Sequence, residues 1–419
     1  MTSNRTEYST RIRDAVAHRE PGRSLPAPFY TDREHFDLDL AAVYGRSWVF
    51  AAPEAEIPEP GDYLTVDLGP WSVIVVRGGD GEPRAFHNVC RHRGSRILTE
   101  ERGSTGNIVC GYHKWTYGTD GALRHAPAQP AGFDRSCFGL RPVRLRAVAG
   151  LLFLCLADRT PEDFDEVAAR IEPYLRPHRL AEARVAVRSD LVEHGNWKLV
   201  MENNRECYHC DGHPELLRAY FPTFGYTEET VPPPLRPVYE RSCRADTELR
   251  QRLDKLGVPH ALIEEADGRA TGFRVQRSAL DLAGESMTPD GTAACRRTLG
   301  DLPDTRLGDL SLHLQPNTWF HACADHAVTF SVRPLAPDRT LLRTTWLVHP
   351  DAEEGTDYDP GTLTKVWTAT NEQDAALVAR AQRGVADPAY LPGPYAPNEH
   401  QVEAFCAWYL DRLREELQR

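Results

Sequence analysis

The sequence predicts an α+β fold, with a small all-β unit followed by a larger unit of strands and helices. Residues 46 to 157 break into short alternating apolar runs separated by Gly, Pro and Asp, the texture of consecutive strands and turns. Beyond residue 180, "ARVAVRSDLVEH", "AVTFSVRPLA" and "TLLRTTWLVHP" read as longer strands, and helical patterning starts near Asn196, Pro360 and Pro397. A chain of 419 residues holds two or three domains. The expected division is an N-terminal helical segment over 1–45 that packs on the larger unit, a β-domain over 46–157, and a second domain over 158–419.

Taken in order, "DREHFDLDLAAVYGRSW" suggests a short helix within the first segment. "DYLTVDLG", "WSVIVVRGGDGEP" and "LRPVRLRAVAGLLFLCLA" supply strands of the β-domain. The most apolar run, Val148 to Ala157, is about half a membrane span and reads as a buried strand. "PEDFDEVAARIEPYL" is an amphipathic helix leading into the second domain. Residues 228 to 305, rich in Pro, Arg and acids, read as long excursions with one short helix, "TELRQRLDKLG".

Composition excludes several classes of function. Hydrophobic residues at 41% and charged residues at 26% are ordinary for a globular enzyme. A net charge of -12 argues against nucleic-acid or anionic-membrane partners, which favour a basic face. The start, "MTSNRTEYSTRIRDAV", lacks an apolar signal core, so a cytoplasmic location is expected. Ten cysteines make no disulfide framework and are expected as thiols unless a metal claims them. Cys137, Cys155, Cys243, Cys295, Cys323 and Cys406 stand singly and read as small buried apolar groups.

The remaining cysteines fall in two clusters. In "CRHRGSRILTEERGSTGNIVCGYHKW", Cys90, His92, Cys110 and His113 are spaced C-x-H-x17-C-x2-H. A finger-type zinc site would pair cysteines in one half and histidines in the other. One thiolate and one imidazole from each half fits a Rieske [2Fe–2S] centre instead, with Cys90 and Cys110 on one iron and His92 and His113 on the other. Gly94, Gly111 and the turn from Gly118 to Gly121 suit loops that wrap closely around a cluster. The stretch "CGYHKWTYGTDGAL" resembles the second half of the Rieske motif of ring-hydroxylating oxygenases.

The second cluster is "NWKLVMENNRECYHCDGHP", which reads as a helix from Asn196 as far as Gly212. On a helix, Glu206, His209 and His213 share one face. Cys207 and Tyr208 point elsewhere, while Cys210 lies near that face and stays a possible ligand by geometry. Downstream, Leu363, Val366, Trp367, Leu377, Val378 and Ala381 trace an apolar helical stripe, filled in by Thr370. Asp374 falls within that stripe, where a carboxylate is costly unless paired or bound to metal. His209, His213 and Asp374 are therefore expected to form a two-histidine, one-carboxylate facial triad for mononuclear iron(II), leaving coordination positions open for oxygen.

Both motifs, with their order and separation, resemble the oxygenase component of Rieske non-heme iron oxygenases over essentially the whole chain. The resemblance implies an N-terminal Rieske β-domain, a C-terminal helix-grip (START-like) catalytic domain, and a homotrimer in which electrons cross to the neighbouring subunit's iron. It also implies that Glu206, where common ring hydroxylases carry Asp, bridges the two centres through a histidine of each. The two iron histidines are four apart, one closer than in many ring hydroxylases. "LVMENNRECYHCDGHPEL", "HLQPNTWFHACADHAVTFSVRPLAP" and "TNEQDAALVARAQRGVADPAYLPGPYAPNE" are similar to the subgroup acting on quaternary ammonium compounds.

That subgroup's reaction would be hydroxylation of an N-methyl group with dioxygen, followed by release of formaldehyde and the demethylated amine. A trimethylammonium head has no hydrogen-bond donor, so aromatic faces and negative charge must hold it. Trp319, Phe320 and Trp346 are the expected cavity aromatics. A substrate carboxylate would need an Arg, His or amide donor, which the sequence does not single out. No flavin or nicotinamide fingerprint is present, so a separate flavin or iron–sulfur reductase must bring electrons from NADH or NADPH. The rival readings are a Rieske electron carrier without catalysis, a zinc-stabilised binding protein, and an aromatic-ring hydroxylase or choline- or carnitine-type monooxygenase on the same scaffold.

Overall fold

The computed structural model describes residues 12–223 and 225–418. Residues 1–11, where the N-terminal segment read above begins, lie outside the described residues. Helix α1 (Arg33–Asp39) is capped by Asp32, which accepts from Glu34 N–H, and runs on into a wider turn over Leu40–Tyr44. Its last residue, Asp39, is buried and accepts hydrogen bonds from Trp197 Nε1 at 3.0 Å, Tyr409 Oη at 2.6 Å and Lys198 Nζ. The N-terminal segment is thus tied to residues far along the chain.

Ten strands follow: β1 (Trp48–Pro53), β2 (Asp62–Leu68), β3 (Trp71–Arg77), β4 (Pro83–His87), β5 (Arg102–Ser104), β6 (Ile108–Val109), β7 (Thr116–Tyr117), β8 (Leu123–His125), β9 (Pro142–Val148) and β10 (Leu151–Cys155). Seven form one sheet in the order β1-β10-β9-β4-β3-β2-β5, and β6-β7-β8 form a small second sheet. The run from Val148 to Ala157 is not one strand. Ala149 and Gly150 take positive φ and turn β9 back on β10, which is buried throughout.

Helix α2 (Phe164–Leu175) leads to a second seven-stranded antiparallel sheet, ordered β11-β17-β16-β15-β14-β13-β12. Its strands are β11 (Arg184–Glu193), β12 (Ile263–Glu265), β13 (Phe273–Ser278), β14 (Asp309–Leu314), β15 (Thr318–Ala322), β16 (Ala327–Ala336) and β17 (Arg339–Val348). One face, with Phe273, Val275, Leu310, Leu312 and Phe320, packs on α2. The other face, with Trp319, Phe330, Val332 and Trp346, packs on the long helix between Pro360 and Val385. The Asn317 side chain joins the two units, bonding both the N–H (2.9 Å) and the carbonyl (3.0 Å) of Phe50.

Helix α3 (Trp197–Asn204), helix α4 (Arg236–Leu256), helix α5 (Pro360–Val385) and helix α6 (His400–Leu417) are the longer helices of the second unit. Three expectations are corrected here. The region over 228–305 holds the 21-residue α4 and strands β12 and β13, because α4 buries only Leu249 and Leu253 and so carries little apolar periodicity. In the α5 stripe, Ala381 is exposed and Gln382 is buried in its place, where its Oε1 accepts Asn196 N–H at 2.8 Å. Of the single cysteines, Cys155, Cys295, Cys323 and Cys406 are buried, but Cys137 and Cys243 are exposed. Among the described residues no helix is long and apolar enough to cross a membrane.

Candidate metal centres and substrate cavity

Two loops with the same backbone pattern carry the first cluster. Gly94 N–H bonds Cys90 O at 3.0 Å and Cys90 N–H bonds Ser95 O at 2.8 Å; Lys114 N–H bonds Cys110 O at 3.1 Å and Cys110 N–H bonds Trp115 O at 2.9 Å. The residue four after each cysteine takes positive φ, 77° at Gly94 and 60° at Lys114, so each chain reverses tightly and turns its cysteine inward. Cys90 and Cys110 are buried free thiols. The rings of His92 and His113 lie 4.6 Å apart, and Trp115 stacks on His92 at 4.9 Å. Tyr117 Oη accepts Arg91 N–H at 3.0 Å and lies 3.3 Å from Cys90 Sγ. His92 Nδ1 is buried with no hydrogen-bond partner. Two inward thiols, two adjacent imidazoles and an unsatisfied buried ring nitrogen fit a [2Fe–2S] cluster with mixed ligands.

The second cluster does not lie on one helix. Asn196 caps α3 by accepting Lys198 N–H at 3.0 Å, but the helix ends at Asn204. Two asparagines weaken its last turn. The Glu206 carboxylate then accepts the N–H groups of Tyr208 and His209, a local turn that replaces the helical ladder. A short 3-10 turn, Cys210–Gly212, delivers His213.

This turn still gathers the expected side chains. His209 Nε2 and His213 Nε2 lie 3.2 and 2.9 Å from the same oxygen of Asp374, Oδ1. Two imidazoles and a carboxylate converging on one point form the donor set of a facial triad, and His213 Nδ1, like His92 Nδ1, is a buried nitrogen without a partner. Cys210 lies close, with its potential donor atom and those of His209 and His213 within 4.8 Å of one another. Its sulfur, however, is bonded to Cys207 in the structure, where two free thiols were expected.

Electrostatics tie the group together. Burial alone would raise Asp374, yet the hydrogen bonds from both histidines hold it below the ordinary carboxylate range. Burial alone would lower His209, yet Asp374 and Glu206 on its two sides raise it to about 9.

Glu206, His209 and Asp374 open onto a cavity of about 620 Å³ between α5 and the sheet, within the size of small-molecule sites. Its sheet wall is set by strand alternation: Arg274, Gln276 and Ser278 on β13 and Asp309, Ser311 and His313 on β14 face it. Asp309 accepts the Tyr220 hydroxyl and lies 2.8 Å from His321 Nδ1, whose ring lies 4.5 Å from that of Trp367. Burial alone would raise Asp309, but His321 and the Tyr220 hydrogen bond outweigh it and hold the carboxyl below its ordinary range. Trp319, Phe320 and Trp346 do not line this cavity. Phe320 points to the opposite face, against α2, while Trp319 and Trp346 lie in the core under α5. The aromatic lining is Tyr220, Phe221 and Trp367. A signal for the polar wall was present in "DLSLHL", where every second residue is polar between buried leucines.

A family model for the Rieske [2Fe-2S] domain matches residues 47–145, and one for the ring hydroxylating alpha subunit (catalytic domain) matches residues 177–415. Fold and matches together define an oxidoreductase with a Rieske cluster and a mononuclear non-heme iron. The chain belongs to the ring hydroxylating alpha subunit family. It is 43% identical to the glycine betaine monooxygenase oxygenase subunit of Chromohalobacter salexigens, over 96% of this chain and 88% of that one. It is 38% identical to the subunit of the same name from Pseudomonas aeruginosa, over 96% and 91%. The fold matches that of a quaternary ammonium Rieske monooxygenase, described for carnitine oxidation and inter-subunit electron transfer. The TM-score is 0.68 at 20% identity, covering 97% of this chain and 98% of that chain.

Proposed function

We propose that this chain is the terminal oxygenase of a monooxygenase that removes an N-methyl group from a small quaternary ammonium compound, with glycine betaine as its substrate. The observation that carries this reading is the cavity wall. Trp367 and Tyr220 offer aromatic faces beside the ionised Asp309, a combination suited to a cation without hydrogen-bond donors. Cys90, His92, Cys110 and His113 would hold the cluster, and His209, His213 and Asp374 the mononuclear iron. When bound, the cluster supplies single electrons and the iron supplies dioxygen activation.

The side chains position and insulate. Glu206 Oε1 accepts a hydrogen bond from Nδ1–H of His209, which leaves Nε2 as the metal-facing nitrogen. Trp367 and Tyr220 hold the ammonium head so that one methyl faces the triad. In sum, dioxygen, two electrons and two protons convert an N-methyl to an N-hydroxymethyl group and water. The C–N bond then breaks, giving formaldehyde, the tertiary amine and a proton. The electrons come from NADH or NADPH through a separate reductase.

A homotrimer is part of this reading. Among the described residues, no hydrogen bond joins Glu206 to His92 or His113 of the same chain, and the rim near those histidines exposes Tyr112, Val89 and Val109. Such a rim suits docking on a neighbouring subunit's Glu206. The deciding experiment is turnover of a methylated-amine panel with a surrogate reductase under oxygen, reading formaldehyde and demethylated product. Formaldehyde from glycine betaine is expected; silence on every methylated amine with oxidation of an aromatic substrate would transfer the chain to the ring-hydroxylating reading.

A further inference from the structure

Arg205 stands immediately before Glu206 and lines the cavity, yet only 2% of its surface is exposed. Its Nη1 donates to Asn204 Oδ1 at 2.8 Å, while Nε and Nη2 are buried with no partner. A buried guanidinium with two unsatisfied donors is expensive unless something compensates it. Its surroundings do so only in part, through the charge of Glu264. Arg274 is a second cation beside it, and the carboxylate there, Glu264, is engaged by Arg274 Nε at 3.2 Å. Glu206 spends its oxygens on His209 and Tyr208. His313, opposite Arg274 across β13 and β14, adds a buried Nδ1 without a partner. Burial and Arg274 both disfavour the charge on Arg205, so an arriving anion would be strongly held.

The spacing indicates which anion. The Arg274–His313 row lies two residues along the strands from the Gln276–Ser311 row, where His321 sits opposite Ser311 and against Trp367. Two residues of strand are about 7 Å, enough for a small zwitterion to lie along the wall with its carboxylate toward the first row and its methylated head toward the second. We propose that Arg205, assisted by His313, is the specificity-determining residue that binds the carboxylate of the substrate and so selects a betaine over an uncharged-tail quaternary amine. This rests on the N-demethylase reading above and adds to it the recognition of the acid end.

The test compares Arg205→Gln and Arg205→Lys with wild type, each loaded with both iron centres, on glycine betaine and on choline, which differ at the carboxylate. For Arg205→Gln the ratio of kcat/KM for glycine betaine over choline should fall roughly 10- to 100-fold, mainly through KM. Arg205→Lys, which keeps the charge and loses the fork, should fall less, and it carries the test alone if the Gln variant does not fold. An unchanged ratio in a loaded variant overturns the assignment, as does a wild type that prefers choline. If wild type demethylates neither compound, the N-methyl reading fails separately, and acetate affinity decides the anion site. Weaker acetate binding by the variant upholds it; equal binding overturns it.

Discussion

Glu206 Oε1 lies 2.5 Å from Nδ1 of His209, whose other ring nitrogen points at Asp374. One side chain therefore fixes both the tautomer and the orientation of a metal-facing imidazole, the outer hydrogen bond that tunes such ligands. Glu206→Gln should keep both metals and lose on the order of 10- to 100-fold in turnover, with the loss in re-oxidation of the reduced cluster. Stopped-flow absorbance and iron content check this. As a control, His209→Ala should lose the mononuclear iron and keep the red-brown chromophore; loss of colour instead would mean that the two clusters are misassigned.

Gly195 couples two helices. A Cβ there would stand 2.3 Å from Val378 Cγ1 on α5, four residues past Asp374, and Asn196 beside it bonds Gln382 of the same helix. Overfilling such a contact costs about 1–3 kcal/mol and is relieved by moving the helix. Gly195→Val should thus lower mononuclear iron per chain while leaving the Rieske absorbance unchanged. Iron analysis beside the visible spectrum reads the difference, and equal loss at both centres would count against it.

The chemistry was more legible than the local geometry. Cys90, His92, Cys110 and His113 are read from spacing because a tight turn fixes which residues converge whatever surrounds it, and the two loops prove to be near copies. His209, His213 and Asp374 also meet, but the assumed helix ends at Asn204 and a turn stapled by Glu206 does the gathering. Side-chain competition with the backbone leaves no trace in apolar periodicity. The cavity wall was hidden for a related reason. Trp319 and Trp346 look like cation-binding aromatics and are core, whereas β13, with alternating Arg274, Gln276 and Ser278, looks like a polar loop because its other face alone is apolar.

Glu202 gives the stability a pH dependence. Burial raises its carboxyl to about 7, with the Tyr30 hydroxyl hydrogen bond at 3.0 Å pulling only partly the other way. The folded chain binds this proton more tightly than the unfolded chain, whose glutamate titrates near 4.5. The associated stability is present in full below about 4.5, declines as pH rises toward 7, and is lost above it. At about 1.4 kcal/mol per unit the window is worth about 3 kcal/mol. Glu202→Gln should remove that slope, so the gap between variant and wild type in denaturation midpoint widens in the variant's favour from pH 5 to pH 8. A constant gap over that range would show that Glu202 is ionised throughout.

Asp309 tests whether charge or shape selects the ammonium head. Its carboxylate is fixed by Tyr220 and His321, and Oδ1 is buried without a hydrogen-bond partner, so it places a negative charge at the cavity wall at the end away from Arg205. Asn in its place keeps the volume and much of the hydrogen bonding while removing the charge. If a cation is drawn by that charge, Asp309→Asn raises KM for glycine betaine roughly tenfold, as expected for a partly desolvated charge pair, with a smaller change in kcat. A neutral ligand of similar size, such as tert-butylacetamide, should lose no affinity as an inhibitor. Equal weakening of charged and neutral ligands would instead mean that the substitution disturbs the shape of the cavity, leaving Trp367 and Tyr220 as the groups that recognise the methylated head.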